Sequence, residues 1–280
     1  MPWTPGLIGM GLAALVATLV LWIGGCRGAP LALGFGYALG HAAVRGWFGA
    51  VRMPVPPIDA IDWLAWLALA ATLWGLIELC GSISRSARWL GRLVLTVAVL
   101  GLLLGPLARN VWPWPILTVR LIGPGAGVLV VWGLLDALGE RLAGGSLTTV
   151  LALVAGGSSV VLVLTGSLVL GELAGVLTAA VVVSRFGSIG DSGPPSTRGL
   201  VAVVVVMLAG LLLAGRFYSE TPTSAAVLLA VAPLAAWIDR LCRLPAWTRA
   251  LVRVLAVSLL VGLAIAIALA AVPGAELGGI

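Results

Sequence analysis

Few side chains in this 280-residue chain could do chemistry, and the most isolated of them is a carboxylate. Between positions 146 and 183 Glu172 is the only ionisable residue, set in the run "TGSLVLGELAGVLTAA". A charge in such surroundings is expensive unless it is paired or neutralised, which leaves two readings. Glu172 is either a protonated packing residue or a group that exchanges a proton or binds a cation across a polar cavity. Ser167, Gly171 and Gly175 form a small-residue stripe beside it, the pattern that lets a second helix approach closely. The preceding segment offers "GGSS" (156–159) and Thr165 as hydrogen-bond partners. A helix starting near Gly166 would place Glu172 roughly 9 Å along its axis. The single histidine, His41, precedes Arg45 by one helical turn and lies close to Tyr37, in a stretch carrying Gly34, Gly36 and Gly40. A short broken helix with such groups can line an ion or anion site. The plainer reading is a helix end whose polar groups point into headgroups.

A third group of charges repeats. Glu78, Arg88 and Arg92 recur 161 positions later as Asp239, Arg249 and Arg253, each set describing a hairpin in which one helix ends with an acid and the next opens with an RxxxR pair. Every one of these charges sits at the helix end that its macrodipole disfavours, so partners must hold it. Glu78 can reach Arg88 or Arg92, and Asp239 can reach Arg249 or Arg253, while spare arginines face anionic lipid phosphates. A second echo, "WGLIELCG" from Trp74 and "WGLLDALG" from Trp132, lies 58 positions apart, but chance matches are common in a chain with so few residue types. Neither offset is half the chain length, so a duplication of two halves is not visible.

Other motifs lose their chemistry in context. "GDSGPP" (190–195) resembles the nucleophile loop of trypsin-like proteases, yet that mechanism also needs a histidine and an aspartate on a β-barrel. "GPGAG" (123–127) lacks the preceding strand, and the lysine followed by Ser or Thr, of a nucleotide loop, and reads as the start of a membrane helix. One histidine and three dispersed cysteines give no metal-ligand pair. With no nucleophile, metal or nucleotide motif, the sequence argues against an enzyme and names no cofactor.

The elements that must position these groups are membrane helices. The chain is 61% hydrophobic and 9% charged, too apolar to dissolve in water. Apolar runs bounded by Arg, Pro, Gly or Ser predict an all-α polytopic bundle of about ten helices, near 7–25, 31–43, 61–80, 89–107, 121–138, 147–164, 168–183, 200–214, 224–237 and 250–272. The count becomes nine if the short second segment is re-entrant. No stretch is long and polar enough for a soluble domain, so residues 1–280 read as one membrane domain.

All 16 basic residues are arginines, scattered through the interhelical loops as membrane orientation is encoded, which sets nucleic acid aside. If ten segments span, only Arg45, Arg52, Arg109, Arg120 and Arg216 share one side, and the other eleven mark the cytoplasmic face with its anionic lipids. If nine span, the division is ten against six and the N-terminus changes side. Cys26, Cys80 and Cys242 share the cytoplasmic face in the ten-helix version, and the arginine-only composition points to a bacterial inner membrane. The most specific expectation is a small-solute or proton-coupled transporter, with Glu172 as the coupling carboxyl assisted by His41 and Arg45. The alternative is a non-catalytic subunit or scaffold, packing against lipid and a second copy or another membrane protein. An enzyme acting on lipid-linked phosphate ranks last.

Overall fold

The computed structural model describes residues 4–48, 55–57, 59–79, 83–142, 146–186, 197–240 and 245–272. Among them lie ten α-helices: α1 (Thr4–Gly24), α2 (Ala29–Val44), α3 (Trp63–Leu79), α4 (Arg85–Asn110), α5 (Trp114–Gly139), α6 (Ser146–Leu164), α7 (Leu168–Phe186), α8 (Thr197–Tyr218), α9 (Thr223–Val231) and α10 (Ala246–Ala270). Eight spans are long and apolar enough to cross a bilayer; the regions around α2 and α9 are shorter. Leu7, Ile8, Trp22, Val119 and Leu259 all stand at least 64% exposed on the outside of the bundle, the surface expected of a protein solvated by lipid.

Chain direction alternates, which gives the bundle two ends: a near end, where α1 begins, and a far end, where it finishes. The core is organised around α8, whose apolar span is 89% buried, whereas only 17% of the α10 span is covered. With lipid as apolar as leucine, close packing must hold such helices together, and glycine is what permits it. A Cβ on Gly75 would stand 2.6 Å from the Gly199 carbonyl, so α3 and α8 cross backbone to backbone. Gly9 and Gly40 do the same for α1 and α2, each leaving less than 3 Å between a Cβ and the other's carbonyl oxygen.

The second segment is one continuous helix rather than a reversal. It begins beside the end of α1, where Gly28 meets Val20, and ends beside its start, where Val44 meets Gly9. Proline moves other boundaries. α5 begins at Trp114, seven residues before the expected 121, and carries Pro124 and the whole GPGAG run inside it rather than at its start. α9 ends at Val231, and a 3-10 stretch, Ala232–Arg240, takes over where Pro233 supplies no amide. Thr221 does not cap the helix that follows. Its hydroxyl meets that of Thr165 at 2.8 Å, tying the loop to the end of α6.

Candidate functional site

Two clusters of buried charge sit at opposite ends of α3, one beside Asp62, just before its first turn, the other around Glu78 in its last. Sixteen residues separate these carboxylates (78 minus 62), about 24 Å along a helix.

At the near end, the last turn of α2 faces the start of α3. Arg45 Nη2 donates to Asp59 Oδ2 at 2.6 Å, and its Nε lies 2.7 Å from Asp62 Oδ1, an ion pair not aligned as a hydrogen bond. His41 Nε2 stands 4.0 Å from the same Asp62 oxygen, just out of hydrogen-bond reach, and both imidazole nitrogens are buried without partners. Beyond it, the Tyr37 ring lies 6.0 Å from the imidazole, with its hydroxyl also buried and unpartnered. Exposure falls along this string, from 60% at the Asp59 side chain through 25% at Arg45 to 3% at Asp62 and 0% at His41. One arginine therefore serves two carboxylates, and a protonated His41 would balance the second.

At the far end, Arg92 enters from α4. Its Nε donates to Glu78 Oε1 at 3.0 Å and its Nη2 to Asp136 Oδ2 of α5 at 2.9 Å. Trp74 Nε1 donates to the same Glu78 oxygen at 3.1 Å, one turn back on α3. The guanidinium carbon lies 5.4 Å from the Trp89 ring and 5.6 Å from that of Trp132, within cation–π range of both. Here too one arginine meets two carboxylates, but nothing in the trio exceeds 9% side-chain exposure. Glu78 Oε2 and Asp136 Oδ1 remain buried and unpartnered, so a proton or a small cation is what this site lacks in charge.

Glu172 lies elsewhere. α7 starts at Leu168, so the carboxylate is only about 6 Å into the helix. Its side chain is folded against Gly6 in the first turn of α1, where a Cβ would stand 2.7 Å from Oε1, and the Gly6 backbone amide faces it. The first amides of a helix have no intrahelical acceptor, so Glu172 packs where α1 presents free donors, yet its Oε1 stays buried without a hydrogen-bond partner among the described residues. The hydroxyls expected beside Glu172 bond otherwise: Ser159 donates to the Gly171 carbonyl at 2.7 Å and Ser158 to that of Val154 at 2.8 Å. Glu172 turns towards α1 while His41 and Arg45 turn towards α3, and no hydrogen bond or ion pair among the described residues joins the two groups.

Of the two arginine hairpins, the first closes through Glu78 and Arg92, with Arg88 half-buried and making no ion pair among the described residues. In the second, Arg249 is exposed and Arg253 half-buried, and the side chain of Asp239 lies outside the described residues. Sequence reading missed Asp59, Asp62 and Asp136. The signal for Asp136 was the 58-position echo, since both copies place an acid four residues after a tryptophan and both face Arg92. The signal for the other two was "IDAID" (58–62), an acid pair in the connection that follows Arg45. No group of three potential metal ligands occurs among the described residues. Comparison with protein-family models, with curated proteins and with solved structures found no match for this chain.

Proposed function

We propose that this is a proton-coupled transporter of a small solute, in which the two charge clusters on α3 close the two ends of the protein and the near-end cluster carries the coupling proton. The observation that supports this is the pair of one-arginine, two-carboxylate sites buried at opposite ends of one helix. A purely structural bundle gains little from them, because well-packed apolar side chains of similar volume are often at least as stable as a buried ion pair. Ionisable groups inside membrane helices mark ion and proton pathways by default. The graded string Asp59, Arg45, Asp62, His41, Tyr37 supplies a route from the surface inward, with the buried imidazole of His41 next to its inner end.

In this reading all ten helices cross the membrane. α2 is about 24 Å long, and the 3-10 turn Gly25–Gly28 extends it. The far end, with most of the arginines, faces the cytoplasm and its anionic lipids in a bacterial inner membrane. Glu172 anchors α1 rather than carrying the proton. A scaffold subunit is the second reading, favoured by that same seat of Glu172 on Gly6, which is a packing contact.

Proteoliposomes loaded with a pH-sensitive dye test the proposal. With an imposed pH gradient, one class in a panel of small solutes should drive proton movement in the native protein, and Asp62→Asn should abolish it while the protein stays folded. Solute flux that persists unchanged in Asp62→Asn and is indifferent to the gradient would remove the coupling role.

A further inference from the structure

A groove of about 530 Å³ runs between α5, α8 and α9. That volume falls within the range of ligand sites, roughly 300–1,000 Å³. Along α5 it extends from Arg120 to Leu135, fifteen residues (135 minus 120) and about 22 Å. Its walls are apolar, with Val128 and Val131 facing Leu208 and Leu212 across a floor that includes Ala226. Gly123 and Gly127, from the GPGAG run, contribute the concavity, because a Cβ on either would meet nothing within 4 Å.

Among the described residues the polar side chains lining it are Arg120, Arg216 and Thr223, and all three stand at the near end. Aromatic contacts hold the two arginines together. Arg120 lies 4.9 Å over the Trp112 ring, Trp112 meets Phe217 edge to face at 5.1 Å, and Arg216 lies 6.0 Å from the Phe217 ring. Neither arginine has an acidic partner among the described residues. Two cations linked through a pair of aromatic rings, without an acidic partner among the described residues and at one end of a long apolar groove, match one chemistry: an anionic head on a hydrocarbon chain.

We propose that this groove is a binding site for an anionic phospholipid, with one acyl chain along α5 and the phosphate between Arg120 and Arg216. The site is independent of the transport reading and stands or falls separately. Its length and uniformly apolar wall favour a membrane lipid over a free phosphate, which would use the two arginines alone.

The test is native mass spectrometry of the full chain, taken from nanodiscs of equal parts phosphatidylglycerol and phosphatidylcholine into detergent. The native protein should retain one phosphatidylglycerol, and the Arg120→Gln/Arg216→Gln variant should retain at least tenfold less. Gly127→Leu, which projects into the groove from a position whose Cβ would meet nothing within 4 Å, should lose it equally, while Gly101→Leu, also with open space at its Cβ but outside the groove, should not. The Arg120→Lys/Arg216→Lys variant should recover retention, separating charge from folding. Equal retention of the two lipids, undiminished binding in Gly127→Leu, or displacement of the lipid by inorganic phosphate at millimolar concentration would each overturn the proposal.

Discussion

The two ends of α3 carry the same charges in opposite settings. At the near end Arg45 meets Asp59 and Asp62 where water reaches the outermost carboxylate; at the far end Arg92 meets Glu78 and Asp136 between tryptophan rings, with all three side chains buried. The near cluster reaches the surface through Asp59 and has a histidine behind it. The far cluster is sealed, and its geometry is fixed by two hydrogen bonds and two ring contacts around one guanidinium. Charge composition alone therefore does not assign a role. Access to water separates a site that can titrate from one that latches.

The sharpest way to break this contrast is to remove each arginine. Arg92→Ala leaves two carboxylates buried without a cation and should cost about 3–5 kcal/mol, seen as a large fall in unfolding temperature in detergent. Arg45→Ala, at a partly exposed site, should cost clearly less by the same measurement. Next in size is the crossing that brings α8 against α3: Gly75→Leu must force the backbones apart, at about 1–3 kcal/mol. Trp74→Phe removes one donor to Glu78 and should cost roughly 1 kcal/mol by denaturant titration, more than any substitution of half-exposed tryptophans without a buried partner. The smallest effect is expected for Asp59→Asn, below about 1 kcal/mol in stability, because its pair with Arg45 is largely in solvent.

Much of this arrangement was legible in the sequence, and the rest was hidden for identifiable reasons. Length and hydropathy give helices wherever twenty apolar residues run together, and the acid-then-RxxxR order gives the Glu78 and Arg92 hairpin. The start of α5 misled. Pro124 and Arg120 looked like a boundary, but a long membrane helix tolerates both when the freed carbonyl and the cation face a groove. Glu172 drew attention by its isolation along the chain, yet it packs against a glycine of α1 more than 160 residues away, which carries no side-chain signal. Asp62 was overlooked because it stands at the expected start of the third helix, 61–80, where an acid looks solvated. Only the return of α2 beside α3 buries it.

The most direct test of paired gates uses a reporter beside one gate while the other is broken. In a protein whose three native cysteines are replaced, Tyr37→Cys places a thiol next to His41, and a small membrane-impermeant reagent added at the near side reads its access. If the two clusters shut opposite ends of one transporter, Asp136→Asn favours the state open at the far end, and labelling at position 37 should slow about tenfold for a shift of ~1.4 kcal/mol. Asp59→Asn should change it in the other direction. Labelling that is indifferent to Asp136→Asn, or that occurs only after unfolding, would contradict the account and leave the clusters as local ties in a static bundle.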